Sequence, residues 1–169
     1  MEWSMKDYKV KILAEDSVEE IEKLCRQNKL YYQYCPPMVT RESIIRDLHA
    51  LPPNTMENDK FYLGFYKEGE LMALLDLILN YPKAKTAFIG FFMVAGNAQG
   101  KGVGTGLIQG IEQGLQEKGF KRIRLCYVKD NPQAKSFWRK NGFRELDIEI
   151  KQELYTVRVL EKEYELSNL

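Results

Sequence analysis

The sequence predicts one mixed α/β domain, with a central sheet of about seven strands flanked by four helices. Three observations carry that prediction. The chain has 169 residues, 44% of them hydrophobic and 29% charged, which is enough for one ordinary core under a polar exterior. Its periodicities run strand, two helices, three strands, helix, strand, helix, two strands, and that order suits a mixed sheet. No linker, internal repeat or low-complexity stretch divides residues 1–169.

Tyr8–Leu13 carries β-formers broken by lysines and reads as an edge strand. Asp16-Ser17 followed by Glu20 resembles a capping box, and Val18, Ile21, Leu24 and Cys25 continue at helical spacing. Leu30–Met38 contains Tyr31, Tyr32, Tyr34 and Pro36-Pro37, and the two prolines argue against a helix there. Thr40 is a plausible cap for a helix to Leu51, which Pro52-Pro53 stops. Asn54–Asp59 is a polar loop. Phe61–Tyr66 and Glu70–Asn80 read as a hairpin turning at Lys67-Glu68-Gly69. Thr86–Ala95 is apolar enough to be the central strand. A loop at Gly96–Gly100 leads to a helix from Lys101 to Lys118, closed by Gly119. Arg122–Val128 is a strand. Asp130-Asn131-Pro132 starts a helix with proline in its first turn, ending at Asn141-Gly142. Phe143–Ile150 and Tyr155–Glu163 form a closing hairpin.

Several function classes are disfavoured by composition. A formal net charge of +1, from 25 basic and 24 acidic residues, leaves no footprint for nucleic acid or an anionic membrane. Cys25, Cys35 and Cys126 lack metal-ligand spacing and His49 is the lone histidine, so no metal site is expected. Free cysteines suit a reducing cytoplasm. The polar stretch from Met1 to Asp7 is no signal peptide, and the apolar run Ala87–Gly96 is too short to span a bilayer.

The chemistry is concentrated in Gln99-Gly100-Lys101-Gly102-Val103-Gly104. A strand feeding a glycine loop feeding a helix offers unpaired N–H groups at the helix's positive end, which suits a phosphate. Two familiar phosphate motifs fail. Only three residues separate Gly96 from Gly100, and Gly102 stands where a Walker loop needs Ser or Thr. Gly100, Gly102, Gly104 and Gly106 are spaced by two throughout, which fits no dinucleotide fingerprint. Turn punctuation explains Gly96, but not glycines inside the first helical turns, each costing about 1 kcal/mol against alanine. Gly102, Gly106, Gly110 and Gly114 also form a stripe beside the apolar row Val103, Leu107, Ile111 and Leu115, which reads as a close approach to a neighbouring element.

Gln99, Gly102 and Gly104, with the strand Phe91-Phe92-Met93-Val94 before them and the block Asn131, Ala134, Phe137, Trp138, Gly142 and Phe143 after, resemble the GNAT superfamily of N-acetyltransferases. The element order over residues 8–163 is similar to that family as well. The resemblance implies a single GNAT-like domain that binds acetyl-CoA and transfers its acetyl group directly to a primary amine of a small molecule or peptide. It implies that backbone groups of Met93, Val94 and Ala95 pair with the pantetheine arm where two strands splay apart. Gln99 and the N–H groups from Gly100 through Lys101, Gly102, Val103 and Gly104 then hold the pyrophosphate, and Thr105 adds a hydroxyl. Lys101 offsets phosphate charge or is merely solvated. Asn131 caps its helix and touches the cofactor arm, and Phe137 walls it. A homodimer is frequent among similar proteins.

Trp138 departs from the pattern, because many members carry there a tyrosine that protonates the leaving thiolate. Indole has no such proton to give, so Trp138 packs on the cofactor or shapes the thiol pocket. Tyr127 and Cys126 become candidate acids, with water a third possibility. Asp76, alone in the apolar run Leu74–Ile78, is the candidate base, set against a solvent-facing or backbone-bonding role. Tyr31, Tyr32, Tyr34 and Tyr81 are candidates for the acceptor site, since such rings can box an amine, or are loop residues packed on the core. The alternative to an enzyme is an acyl-CoA-binding module of the same fold with reduced catalysis.

Overall fold

The structure is a computed structural model describing residues 2–165; Met1 and residues 166–169 of the expected domain lie outside the described residues. The strands are β1 (Lys9–Ile12), β2 (Lys60–Lys67), β3 (Glu70–Leu79), β4 (Thr86–Val94), β5 (Arg122–Val128), β6 (Arg144–Lys151) and β7 (Thr156–Glu163). The helices are α1 (Val18–Arg26), α2 (Lys29–Tyr34), α3 (Arg41–His49), α4 (Val103–Glu117) and α5 (Pro132–Lys140). The strands form one sheet in the order β1-β2-β3-β4-β5-β7-β6. β4 is its centre, and β4–β5 is its parallel pair.

Local chemistry explains most element ends. The β2–β3 hairpin turns at Glu68 and Gly69, both at positive φ (52° and 82°), the twist a tight hairpin needs. Thr40 caps α3 reciprocally: its hydroxyl accepts from the Ser43 N–H at 3.1 Å, and the Ser43 hydroxyl accepts from the Thr40 N–H at 2.9 Å. The expected box at Ser17 does not form. A 3-10 turn over Glu15–Ser17 leads into α1 with no side-chain cap. The tyrosine segment also differs from expectation, because α2 forms there. Its prolines lie beyond Tyr34 and end the helix instead of forbidding it, and burial of Tyr32 anchors it.

Two apolar layers sandwich the sheet. α4 and α5 cover the face carrying Phe65, Leu75, Leu77, Ile89, Leu125 and Tyr127. α1, α2 and α3 cover the face carrying Tyr62, Tyr66, Leu74 and Met93. The glycine stripe of α4 meets the N-terminal segment: a Cβ at Gly110 would stand 2.7 Å from Met5 Cε, and one at Gly114 would stand 3.6 Å from Trp3.

One departure from regular pairing positions the site. β4 and β5 pair only from Thr86↔Arg122 to Ile89↔Leu125, then part. On the other side of β4 the ladder with β3 slips between Asp76↔Phe91 and Leu77↔Ile89, so Gly90 is the extra residue of a bulge. Bulge and gap coincide at Gly90, which is solvent-exposed in the middle of the central strand.

Candidate active site

The gap leads to the glycine loop. Gly100 and Gly102 take positive φ (73° and 77°), and Gly102 is the residue before α4. The first helical bond runs from the Gly106 N–H to the Gly102 carbonyl at 3.0 Å. Among the described residues, the successive N–H groups of Gly100 through Thr105 donate to no protein acceptor. They form a row of free donors at a helix N-terminus, where the helix's positive end favours an anion. Nothing lies within 4 Å of a Cβ placed at Gly100 or Gly102, so the row is open. Gly104 is closed: a Cβ there would stand 3.1 Å from the Phe137 ring, and so its role is the close approach of α4 to α5. Lys101 is exposed and makes no ion pair among the described residues.

The Gln99 side chain turns away from this row. Its amide donates to the Val94 carbonyl at 2.9 Å and to the Asn28 side chain. Asn28 donates to the same Val94 carbonyl at 3.3 Å, and the Gly96 N–H donates to Gln27 Oε1 at 2.8 Å. The end of α1 therefore clamps the loop from Val94 to Gln99. Gln27 and Asn28 carried no local signal in the sequence, because their role exists only once α1 reaches β4.

Of the expected backbone groups, not all face the gap. The Ala95 N–H donates to the Met72 carbonyl on β3 at 2.8 Å. Antiparallel alternation then turns Met93 to β3 as well, and presents Phe92 and Val94 to the open side. The edge facing the gap is thus Phe92 with the Val94 N–H, a correction to the Met93-to-Ala95 reading.

α5 borders the far side. Asn131 is buried and caps it, accepting from the Ala134 N–H at 3.2 Å. The Thr105 hydroxyl accepts from Asn141 at 3.3 Å, which ties the first turn of α4 to the end of α5. Phe137 stacks on Phe92 at 6.0 Å between centroids, at the border of the gap. Trp138 is buried among Phe137, Phe143 and Phe92 at 4.9, 5.2 and 5.9 Å, as a core residue. Tyr127 lies in the same layer, and its hydroxyl donates to Glu145 at 2.6 Å. Burial and that bond push the Tyr127 hydroxyl up to about 12. Cys126 points to the opposite face by strand alternation, one residue past the last β4–β5 pair. Burial raises its thiol and the neighbouring Arg124 pulls it back.

Asp76 faces the α1–α3 side, opposite to Tyr127, beside Tyr62 on β2 and Phe91 on β4. It is neither solvent-facing nor bonded to a backbone amide. The Lys60 ammonium sits 3.0 and 3.1 Å from its two oxygens. Burial pushes the Asp76 carboxyl up; Lys60 pulls it back, leaving it above its ordinary range. A Cβ at Gly90 would stand 2.9 Å from Asp76 Oδ2, so carboxylate and exposed backbone share one floor.

The tyrosines separate. Tyr31 stands edge-on to Phe91 at 5.9 Å and to Tyr32 at 4.9 Å. Tyr32 is buried against the Cys25 thiol. Tyr81 stands edge-on to Phe88 at 5.3 Å, two residues before Gly90. Tyr34, at the end of α2, joins none of these ring pairs. Tyr155, outside the sequence-based set, contacts Cys35 from the β6–β7 turn. Among the described residues no group of three or more His, Cys, Asp or Glu is placed to hold a metal ion.

Comparison with known proteins agrees with this architecture. The model of the acetyltransferase (GNAT) family matches residues 17–143. Over 46 residues the chain is 37% identical to the uncharacterized protein YxbD of Bacillus subtilis (strain 168); that match spans 27% of this chain and 29% of the relative. Among solved structures it is similar to an acetyltransferase from Thermus thermophilus, with TM-score 0.77 and 21% identity, covering 93% of this chain and 97% of that one. It is also similar to the PaiA N-acetyltransferase from Thermoplasma acidophilum in complex with coenzyme A, with TM-score 0.69 and 20% identity, covering 93% and 99%.

Proposed function

We propose that this chain, which belongs to the acetyltransferase (GNAT) family, is an acetyl-CoA-dependent N-acetyltransferase acting directly on a primary amine of a small molecule or peptide. The observation that carries the reading is the continuity of one open path. The unpaired N–H row from Gly100 to Thr105 adjoins the β4 edge at Phe92 and the Val94 N–H, which runs to exposed Gly90 under the Asp76 carboxylate.

Bound acetyl-CoA supplies an acyl carbon activated as a thioester. The Gly100–Thr105 N–H groups hold its diphosphate, and the β4 edge receives the arm as an added strand. The Val94 N–H on the gap side is positioned to polarise a carbonyl oxygen. Asp76 takes the proton that the attacking amine must lose. Tyr31, Phe91 and Tyr81 offer aromatic walls to the amine's carbon chain. Tyr127 is the weaker acid candidate, since its proton is already given to Glu145. A departing thiolate has a modest pKa, so water suffices to protonate it. The free cysteines and the cofactor's chemistry fit a reducing cytoplasm.

The test is a mass-spectrometric screen of primary amines and short peptides with acetyl-CoA, scored by mass gain of the acceptor together with release of free thiol. Acetylation of at least one amine is expected. Tight coenzyme A binding with no turnover on any acceptor would replace this reading by that of a cofactor-binding module.

A further inference from the structure

We infer that Lys60 is the positioning residue of the acceptor site: its ammonium holds the Asp76 carboxylate over Gly90, and position 90 lacks a side chain because that carboxylate fills its place. The inference deepens the proposed function and rests on its reading of Asp76 as the base.

The geometry is specific. Lys60 begins β2 and Asp76 lies on β3, with Tyr62 directly across from Asp76 on the same face. The Lys60 side chain is 7% exposed, and its ammonium has two sets of partners. It donates to the Ala50 carbonyl at the end of α3 at 2.9 Å and to Asp76 Oδ2 at 3.1 Å. The first contact fixes the ammonium to the helix layer, and the second aims the carboxylate at the sheet. Asp76 Oδ1, 3.0 Å from the same nitrogen, is buried without a hydrogen bond of good geometry, so Lys60 is its charge partner rather than its donor. Oδ2 lies over Gly90.

Burial alone raises the Asp76 carboxyl, so without a cation beside it the carboxylate form that accepts the amine's proton is disfavoured. The groups facing Asp76 are Lys60 and Tyr62 from β2 and Asp47 from α3, with exposed Arg46 beside Asp47. Asp47 opposes ionisation of Asp76 and Lys60 favours it, so the single ammonium decides the balance. After proton transfer Lys60 keeps its Ala50 partner, and its charge is not left stranded.

The experiment measures kcat/KM against pH with acetyl-CoA and the best amine of the screen, for the wild type, Lys60→Met, Lys60→Arg and Asp76→Asn. Lys60→Met is expected to move the acid limb up by about 1–3 pH units, because an opposite charge at this range depresses a carboxyl by that much. Lys60→Arg should return the limb toward its original place, and Asp76→Asn should remove it. Loss of the Ala50 contact alone would lower stability without moving the limb. An unmoved limb in Lys60→Met, with the limb lost in Asp76→Asn, overturns the role of Lys60 and leaves the base intact. An unmoved limb in Asp76→Asn overturns the base itself. Gly90→Ala probes the same geometry without touching a buried charge. It should lower kcat about tenfold or more while acetyl-CoA affinity, measured by calorimetry, stays unchanged; unaltered kcat counts against the inference even if Lys60→Met fails to fold.

Discussion

Replacing Gly102 by aspartate and, separately, by asparagine isolates the charge of whatever the glycine loop binds. Gly102 has φ 77° and ψ 4°, and nothing lies within 4 Å of a Cβ built there. Asn and Asp both tolerate this left-handed region better than alanine, for which it costs roughly 1–2 kcal/mol. That cost is one of backbone strain. It is also nearly the same for the two variants. What differs is one negative charge beside the N–H row of Gly100–Thr105. At about 4 Å, two like charges repel by about 1 kcal/mol in bulk water and about 4 kcal/mol at a protein surface. Gly102 is exposed, so the lower part of that range counts, and a diphosphate carries more than one charge. Gly102→Asp should therefore bind acetyl-CoA between about 5-fold and 1,000-fold more weakly than Gly102→Asn, and the ratio should shrink as salt is added. Isothermal titration at two ionic strengths reads this directly, with thermal melts showing that the two variants are equally folded. Equal affinity of the Asp and Asn variants would refute the phosphate cradle.

Two further predictions concern the frame around the site. Lys162→Met should destabilise the fold by about 3 kcal/mol in urea titration, because it strands the buried Glu112 carboxylate, held at 2.9 and 3.0 Å, and the Asn141 carbonyl held at 2.8 Å; a change below about 1 kcal/mol contradicts that account. Tyr127→Phe should move acid unfolding to higher pH. The Tyr127 hydroxyl is the main cause of the lowered Glu145 carboxyl, and a lowered carboxyl contributes stability above its unfolded-state value and loses it as pH falls through the folded-state value. Without the hydroxyl, Glu145 sits closer to its ordinary range and that loss comes earlier on acidification, which circular dichroism against pH follows.

The strand order along the chain, the α3 cap at Thr40, the proline-started helix at Asn131 and the loop before α4 were all readable, because each depends on residues within one or two turns of each other. Capping, hairpin turns and left-handed glycines are short-range physics. Two segments fold otherwise than their local pattern predicts. At Leu30–Met38 the prolines are real helix stops, but they lie beyond Tyr34, and α2 forms ahead of them with Tyr32 buried against the core. At Ser17 the expected box gives way to a 3-10 turn.

The sequence by itself determined a row of alternate glycines at the start of α4, the local pattern from which a diphosphate-type anion is expected there. Tertiary structure alone decided the rest of the site. The β4–β5 gap arises from pairing that stops at Ile89↔Leu125. The Gly90 bulge, the Asn28 clamp on Val94 and the Lys60–Asp76 pair each join residues from separate elements. Asp76 was visible as an anomaly in an apolar strand, but its partner lies 16 residues away on β2. No local pattern encodes that pair, because a buried charge is stabilised by whatever the fold brings beside it.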